Sequence, residues 1–239
     1  KIKHKWIIFV TGGIWQLKGI KAAKKIGLKV IVIDHDMNAV GNKYSNIFIN
    51  EDLNNFDLIE KKLLDLDLNI VGVISYCSEA GMYLAAKIRK AFSLIGPSIE
   101  TSRILTDKGL QRKKFSYHKL MVPKWSVIRD QKSVYKKILQ SNKTQIIKPC
   151  DSSGSRGVNK ILPIYTKKKM KKLINNAFKF SSSNKIILED YVEGDEFTVE
   201  VYFVKKKMYL LGVTKKYKIK SVNNNVSEDI FSYNFENKI

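Results

Sequence analysis

The chain has 239 residues, 44% of them hydrophobic, with 44 Lys and Arg against 22 Asp and Glu for a formal charge of +22. That is enough apolar chain for one large domain or two small ones, which excludes wholesale disorder; no apolar run approaches the roughly 20 residues of a membrane helix. Of the cations 39 are Lys and only five are Arg, spread from end to end with short runs at 167–172 and 205–207, so solvated lysine is favoured over a nucleic-acid surface.

Residues 6–10 are a continuous apolar run ending in Thr11, Gly12 and Gly13, the pattern of a buried parallel strand entering a tight turn. Basic residues precede the run, but the glycines end it well short of a signal peptide, so a cytoplasmic location is expected. Leu17, Ile20, Ala23 and Ile26 have helical spacing closed by Gly27. Residues 30–33 and then Asp34 read as the next strand, followed by a helix over 56–66, a strand over 70–74 and a helix over 79–92. This alternation predicts a doubly wound parallel sheet over the first ~100 residues.

Polar helices over 98–105 and 108–120 then lead to Val122 and Pro123, where the chain must leave helix. Beyond lie a strand near 125–128, a helix over 133–140, the run 145–149, a Gly/Ser loop over 151–157 and a strand over 158–162. A basic amphipathic helix over 167–180 and a strand over 185–188 follow. Residues 197–204 and 208–214 alternate around three lysines and predict a hairpin, making the second half α+β with antiparallel strands. Two distant cysteines, Cys77 and Cys150, and three histidines argue against both a disulfide scaffold and structural zinc. A first residue of Lys and an end without a helix stop read as a piece of a longer protein.

Four stretches carry candidate chemistry. The turn at Gly12 and Gly13, with Asp34 about 20 positions on, could hold a dinucleotide, but its glycine spacing departs from G-x-G-x-x-G. Lys148 ends an apolar strand, where it either meets a phosphate or snorkels to water from a sheet edge. Ser152, Ser153, Gly154, Ser155, Arg156 and Gly157 form a small-residue loop able to cover a polyphosphate, against the alternative of an ordinary flexible hairpin loop. Residues 189–200 hold six carboxylates in twelve positions, an acidic turn in a basic chain, which could also simply be solvated and face lysines.

In order and spacing the last three stretches resemble the ATP-grasp superfamily, and the chain from residue 6 to about 215 looks like its carboxylate-amine ligase branch, near the carbamoyl-phosphate synthase and biotin carboxylase types. The resemblance implies an α/β pre-ATP-grasp doubly wound parallel sheet over 1–105 and an α+β ATP-grasp domain over 106–239, incomplete at its C-terminus. Within the latter it implies a lid lobe over 125–188 and the start of a C-terminal lobe over 189–239. It further implies that Lys108 and Lys148 contact ATP phosphates, that the loop from Ser152 to Gly157 closes over them, and that Arg156 acts in catalysis. Glu189, Asp190, Tyr191 and Val192 would form a hinge whose backbone reads adenine, and Glu196 would accept from the ribose hydroxyls. Gly12, Gly13 and Glu79 would then face the acceptor substrate.

The expected cofactors are ATP and magnesium, with manganese as a substitute; the expected partners are small-molecule carboxylate and amine substrates, with homodimerisation left open and neither membrane nor nucleic acid involved. The family's metal ligands have no match in the chain: Ser227, Glu228, Asp229, Glu236 and Asn237 stand in no such context. They are expected after Ile239, and this piece alone is expected to turn over little. A nicotinamide-dependent oxidoreductase using Gly12, Gly13 and Asp34 is the second reading, and a basic nucleic-acid-binding module the third.

Overall fold

The computed structural model describes residues 4–205, 207–218 and 228–233. They fall into two compact units, Lys1–Met121 and Val122–Ile239. None of the described helices is long and apolar enough to cross a membrane.

In the first unit the apolar runs form parallel strands β1 (Trp6–Val10), β2 (Lys29–Asp34), β3 (Ile47–Asn50) and β4 (Ile70–Ile74), ordered β3-β2-β1-β4. Helices α1 (Leu17–Lys25) and α2 (Phe56–Asp65) connect strands of this sheet, and α3 (Met82–Ala91) follows β4. Both faces of the inner strands are buried. Ile8, Val10, Ile31 and Ile33 pack with Ile59, Leu63 and Ile88 on one side, and Phe9, Val30 and Val32 pack with Ile20 and Ala23 on the other. Side chains so buried contribute roughly 1.5–3 kcal/mol each, so continuous rather than alternating apolar runs identify a doubly covered sheet. The expected doubly wound sheet is present; β3, four residues at an edge, is an addition to the sequence reading.

Helix α4 (Ile99–Thr106) starts at Ser98, whose Oγ accepts the Thr101 N–H. Helix α5 (Lys108–Tyr117) starts at Asp107, whose carboxylate accepts the Leu110 N–H at 3.0 Å. Each cap satisfies a helix-end donor that has no partner within the helix. α4 packs on α3 and on α5, and all three helices belong to the first compact unit, with residues 105 and 106 both inside α4.

In the second unit β5 (Trp125–Ile128), β6 (Gln145–Pro149), β7 (Asn159–Ile161) and β8 (Ile186–Asp190) form an antiparallel sheet ordered β5-β8-β6-β7. Helices α6 (Gln131–Leu139) and α7 (Lys167–Lys179) cover one face: Val134, Ile138, Met170 and Ile174 meet Ile147, Ile161, Ile186 and Leu188. The lysines of α7 turn outward, as the amphipathic spacing requires. The hairpin continues as β9 (Glu196–Val204) and β10 (Lys207–Lys218), joined by β11 (Glu228–Tyr233) in a second antiparallel sheet. Register puts Val199 opposite Val213, Val201 opposite Leu210 and Phe203 opposite Met208. With Phe197 these make one apolar face, and Phe197, Val199, Phe203 and Met208 are each more than half exposed.

Two local features generate tests. Thr11 has φ +77°, a left-handed conformation costly for a β-branched residue, and its Oγ1 is buried without a hydrogen-bond partner. Thr11→Gly is expected to raise unfolding free energy by about 1 kcal/mol, measured by denaturant titration; a loss of stability would show that the threonine side chain is needed there.

Asp151, one residue beyond Cys150 at the exit of β6, accepts from Ser181 Oγ at 2.9 Å, Ser182 Oγ at 2.7 Å and the Ser183 N–H at 2.6 Å. Burial pushes its carboxyl up, but these hydrogen bonds outweigh burial and hold it below its ordinary value. A lowered carboxylate stabilises the fold above its unfolded pKa of about 3.9 and loses that contribution as pH falls through the folded value. Asp151→Asn is expected to cost about 1 kcal/mol at neutral pH, small because the group is partly solvated, and to flatten the acid limb of a stability–pH profile. An unchanged acid limb would rule out this contribution of Asp151.

Candidate functional site

Strand alternation sorts the four-stranded sheet into two faces. Gln145 and Ile147 of β6 point to the helices, so Ile146 and Lys148 point away, as do Ile187 and Glu189 of β8. Trp125 pairs with Glu189, and Lys160 pairs with Ile146, which adds both to this helix-free face.

Lys148 and Glu189 sit on diagonal positions there, and Nζ lies 2.5 Å from Oε2, with the two side chains 18% and 4% exposed. β6 lies between β8 and β7, so the edge-strand alternative for Lys148 does not hold. A buried ammonium is tolerated because a carboxylate meets it, and the lysine still has two N–H donors to offer beyond that contact. Lys160 Nζ lies 3.6 Å from the centre of the Tyr191 ring, a cation–π contact that ties β7 to the segment after β8. The sequence reading missed Lys160, because only strand register shows that it shares a face with Lys148.

The Gly/Ser loop leaves β6 directly after this pair. Gly154, Ser155 and Gly157 all have positive φ. A Cβ on Gly157 would stand 2.8 Å from Pro149 Cγ, whereas one on Gly154 would meet nothing within 4 Å. The loop is therefore clamped where it rejoins the sheet and open at its tip. Asn159, also unforeseen, fixes the clamped end: buried, it donates through Nδ2 to Gly157 O and to Asn176 Oδ1, both at 3.0 Å. Ser152 is buried and Ser153, whose carbonyl accepts the Arg156 Nε–H at 3.1 Å, is half-buried, while Arg156 itself is exposed.

The acidic stretch separates into distinct contacts. The N–H groups of Asp190 and Tyr191 donate to Lys124 O and Thr144 O, each at 2.9 Å, and Glu189 lies within the inner strand β8. Val192, 69% exposed, is thus the first residue of the hinge whose backbone donor can serve a ligand. Asp195 pairs with Lys215 at 2.6 Å, and Glu196 pairs with Lys216 at 3.0 Å through Oε1, across β9 and β10.

In the first unit Asp34 is buried, and its two oxygens accept from the Gly12 N–H at 2.7 Å and the Asp36 N–H at 2.9 Å. The Gly41 N–H donates to Gly12 O at 2.6 Å, and a Cβ on Gly12 would stand 2.5 Å from Val32 Cγ1. This turn is packed shut against residues 40–44, and Asp34 holds the turn rather than a ribose, which removes the acid that the nicotinamide reading required. Buried Gln16 donates through Nε2 to Tyr76 O at 2.8 Å and Cys77 O at 3.0 Å. It thereby joins the Gly12–Gly13 turn to the loop that carries Glu79, whose carbonyl accepts the Met82 N–H. Lys108 is the first residue of α5.

Among the described residues no group of three His, Cys, Asp or Glu could hold a metal ion. The backbone of Glu228 and Asp229 lies in β11, while Ser227, Glu236 and Asn237 lie outside the described residues.

Residues 141–236 match the ATP-grasp domain family. A search of curated proteins gives no significant match. Among solved structures the chain is similar to an N5-carboxyaminoimidazole ribonucleotide synthetase in complex with ADP, at 16% identity over 92% of this chain and 56% of that one, with a TM-score of 0.74. It is also similar to the L-amino acid ligase from Bacillus licheniformis, at 15% identity over 94% of this chain and 54% of that one, with a TM-score of 0.73. The D-alanyl-alanine synthetase A from Vibrio cholerae matches at 15% identity over 96% and 74% of the two chains, with a TM-score of 0.66. The chain thus spans little more than half the length of the first two. The segment 141–236, which follows the doubly wound parallel sheet in the chain, is thus the part that matches the ATP-grasp domain family.

Proposed function

We propose that this chain is the ATP-binding part of a ligase that activates a carboxylate as an acyl phosphate for attack by an amine. The observation that carries the reading is that the segment matching the ATP-grasp family contains the Lys148–Glu189 pair on the sheet face turned away from α6 and α7, with the Gly/Ser loop directly after it. The ADP held by the first similar structure supports the choice of nucleotide.

Each role follows from chemistry already present. Lys148, paired with Glu189, offers its remaining donors to phosphate oxygens. The loop from Ser152 to Gly157, open at its tip, brings backbone N–H groups, hydroxyls and Arg156 over the phosphates. Val192 offers its N–H to the adenine edge. Glu196, which pairs with Lys216 through Oε1, would accept from a ribose hydroxyl.

In the reaction a carboxylate oxygen attacks the γ-phosphorus, the bond to the β,γ-bridging oxygen breaks, and ADP departs. The amine nitrogen then attacks the acyl carbon, phosphate leaves with the bonding pair, and the nitrogen loses a proton. Magnesium is the expected companion of the phosphates, though the described residues do not assemble a ligand set for it.

Calorimetric titration with ATP and with NADH tests this. ATP is expected to bind and NADH not to. Lys148→Met is expected to weaken ATP about tenfold or more, and Glu196→Gln severalfold. Since Lys148→Met strands a buried carboxylate, the double variant Lys148→Met/Glu189→Gln, checked for folding by circular dichroism, is titrated beside it. Parent-like ATP affinity in the folded variants, or NADH binding without ATP binding, would overturn the reading.

A further inference from the structure

On the helix-packed face of the same sheet lies a second feature, a cavity of about 370 Å³ where α6 ends and β6 begins. Its size falls within the range of small-molecule sites. Gln145 lines it. This residue is 6% exposed, yet its carboxamide oxygen is buried and accepts no hydrogen bond. A buried acceptor left unsatisfied costs about 1–3 kcal/mol, so such a group points to a missing donor.

The charges around the cavity are arranged in two parts. Lys124, Lys137 and Lys143, three exposed lysines, are among its lining residues. Asp190 also lines it, with Oδ2 3.7 Å from Lys143 Nζ, and Gln140 brings the C-terminal end of α6, where helix carbonyls carry partial negative charge. An anion alone would leave the Gln145 oxygen without a donor and would sit beside the Asp190 carboxylate and the helix end. A cation alone would face three lysines. A molecule that carries both a carboxylate and an ammonium satisfies both parts.

We propose that this cavity is a binding site for a free α-amino acid, with its carboxylate toward the lysines and its ammonium toward Gln145 Oε1 and the C-terminal end of α6. The site is distinct from the proposed nucleotide face: Gln145 and Asp190 point to the helices, whereas Lys148 and Glu189 point away from them. It requires no nucleotide, so it stands or falls separately from the ATP reading.

The test uses the full chain without nucleotide. Glycine, L-leucine and L-glutamate are titrated in turn by saturation-transfer NMR, and at least one is expected to bind saturably. For that amino acid, the N-acetyl derivative, which lacks the ammonium, and the amide, which lacks the carboxylate, are expected to bind about tenfold or more weakly. Gln145→Leu is expected to lose binding with an unchanged or raised melting temperature, because it removes an unsatisfied polar group without emptying the space. Lys137→Ala, on the outer helix, is expected to weaken binding severalfold. Absence of saturable binding by all three amino acids would overturn the proposal, as would equal binding of the blocked derivatives or parent-like binding by both variants.

Discussion

A lysine on an inner strand must find its counter-charge within reach of its own stem, and in the second unit that requirement is met at one register. Lys148 lies opposite Ile187, which leaves Glu189 two residues along on the same face. A slip of one residue would turn Lys148 toward Ile138 and Ile174 in the helix-packed core, where an unpaired ammonium costs several kcal/mol. The pair therefore fixes which side of β6 and β8 is left uncovered by helices. It also fixes where the neighbouring segments begin, because the Gly/Ser loop starts just after Lys148 and the hinge just after Glu189.

The two glycine-bearing turns show how similar residues serve opposite ends. Gly12 is small so that the chain can close: Val32, Gly41 and the Asp34 carboxylate fill the space around it. Gly154 has nothing beside it, and its left-handed backbone shapes a tip that stands clear of the protein. The first turn holds a domain together. The second leaves its tip open to solvent.

What could be read in the sequence was whatever is written locally. Continuous apolar runs gave the parallel strands, helical spacing gave α1 to α3, and the sequence of a strand lysine, a Gly/Ser loop and an acidic stretch marked the second unit. What escaped depends on partners distant in the chain. Lys160, Asn159 and Gln16 act through register or through carbonyls up to 61 positions away. Asp34 misled for the same reason: an acid at a strand end looks free in a sequence, and only the fold shows the Gly12 N–H aimed at it. Four of the six carboxylates read as one acidic turn, Glu189, Asp190, Asp195 and Glu196, meet four separate lysines, since strand alternation and the β9–β10 pairing send them in different directions.

The apolar face of the β9–β10 sheet has a consequence for the protein as a solute. Phe197, Val199, Val201, Phe203 and Met208 favour contact with any matching surface, while a net charge of +22 keeps copies apart. Added electrolyte shortens the reach of that repulsion to about 8 Å at physiological strength and leaves the apolar attraction in place. Strongly hydrated anions such as sulfate reinforce the attraction as well. The chain will therefore be best behaved in dilute buffer, and its association will rise with ionic strength, opposite to the behaviour of an assembly held by ion pairs.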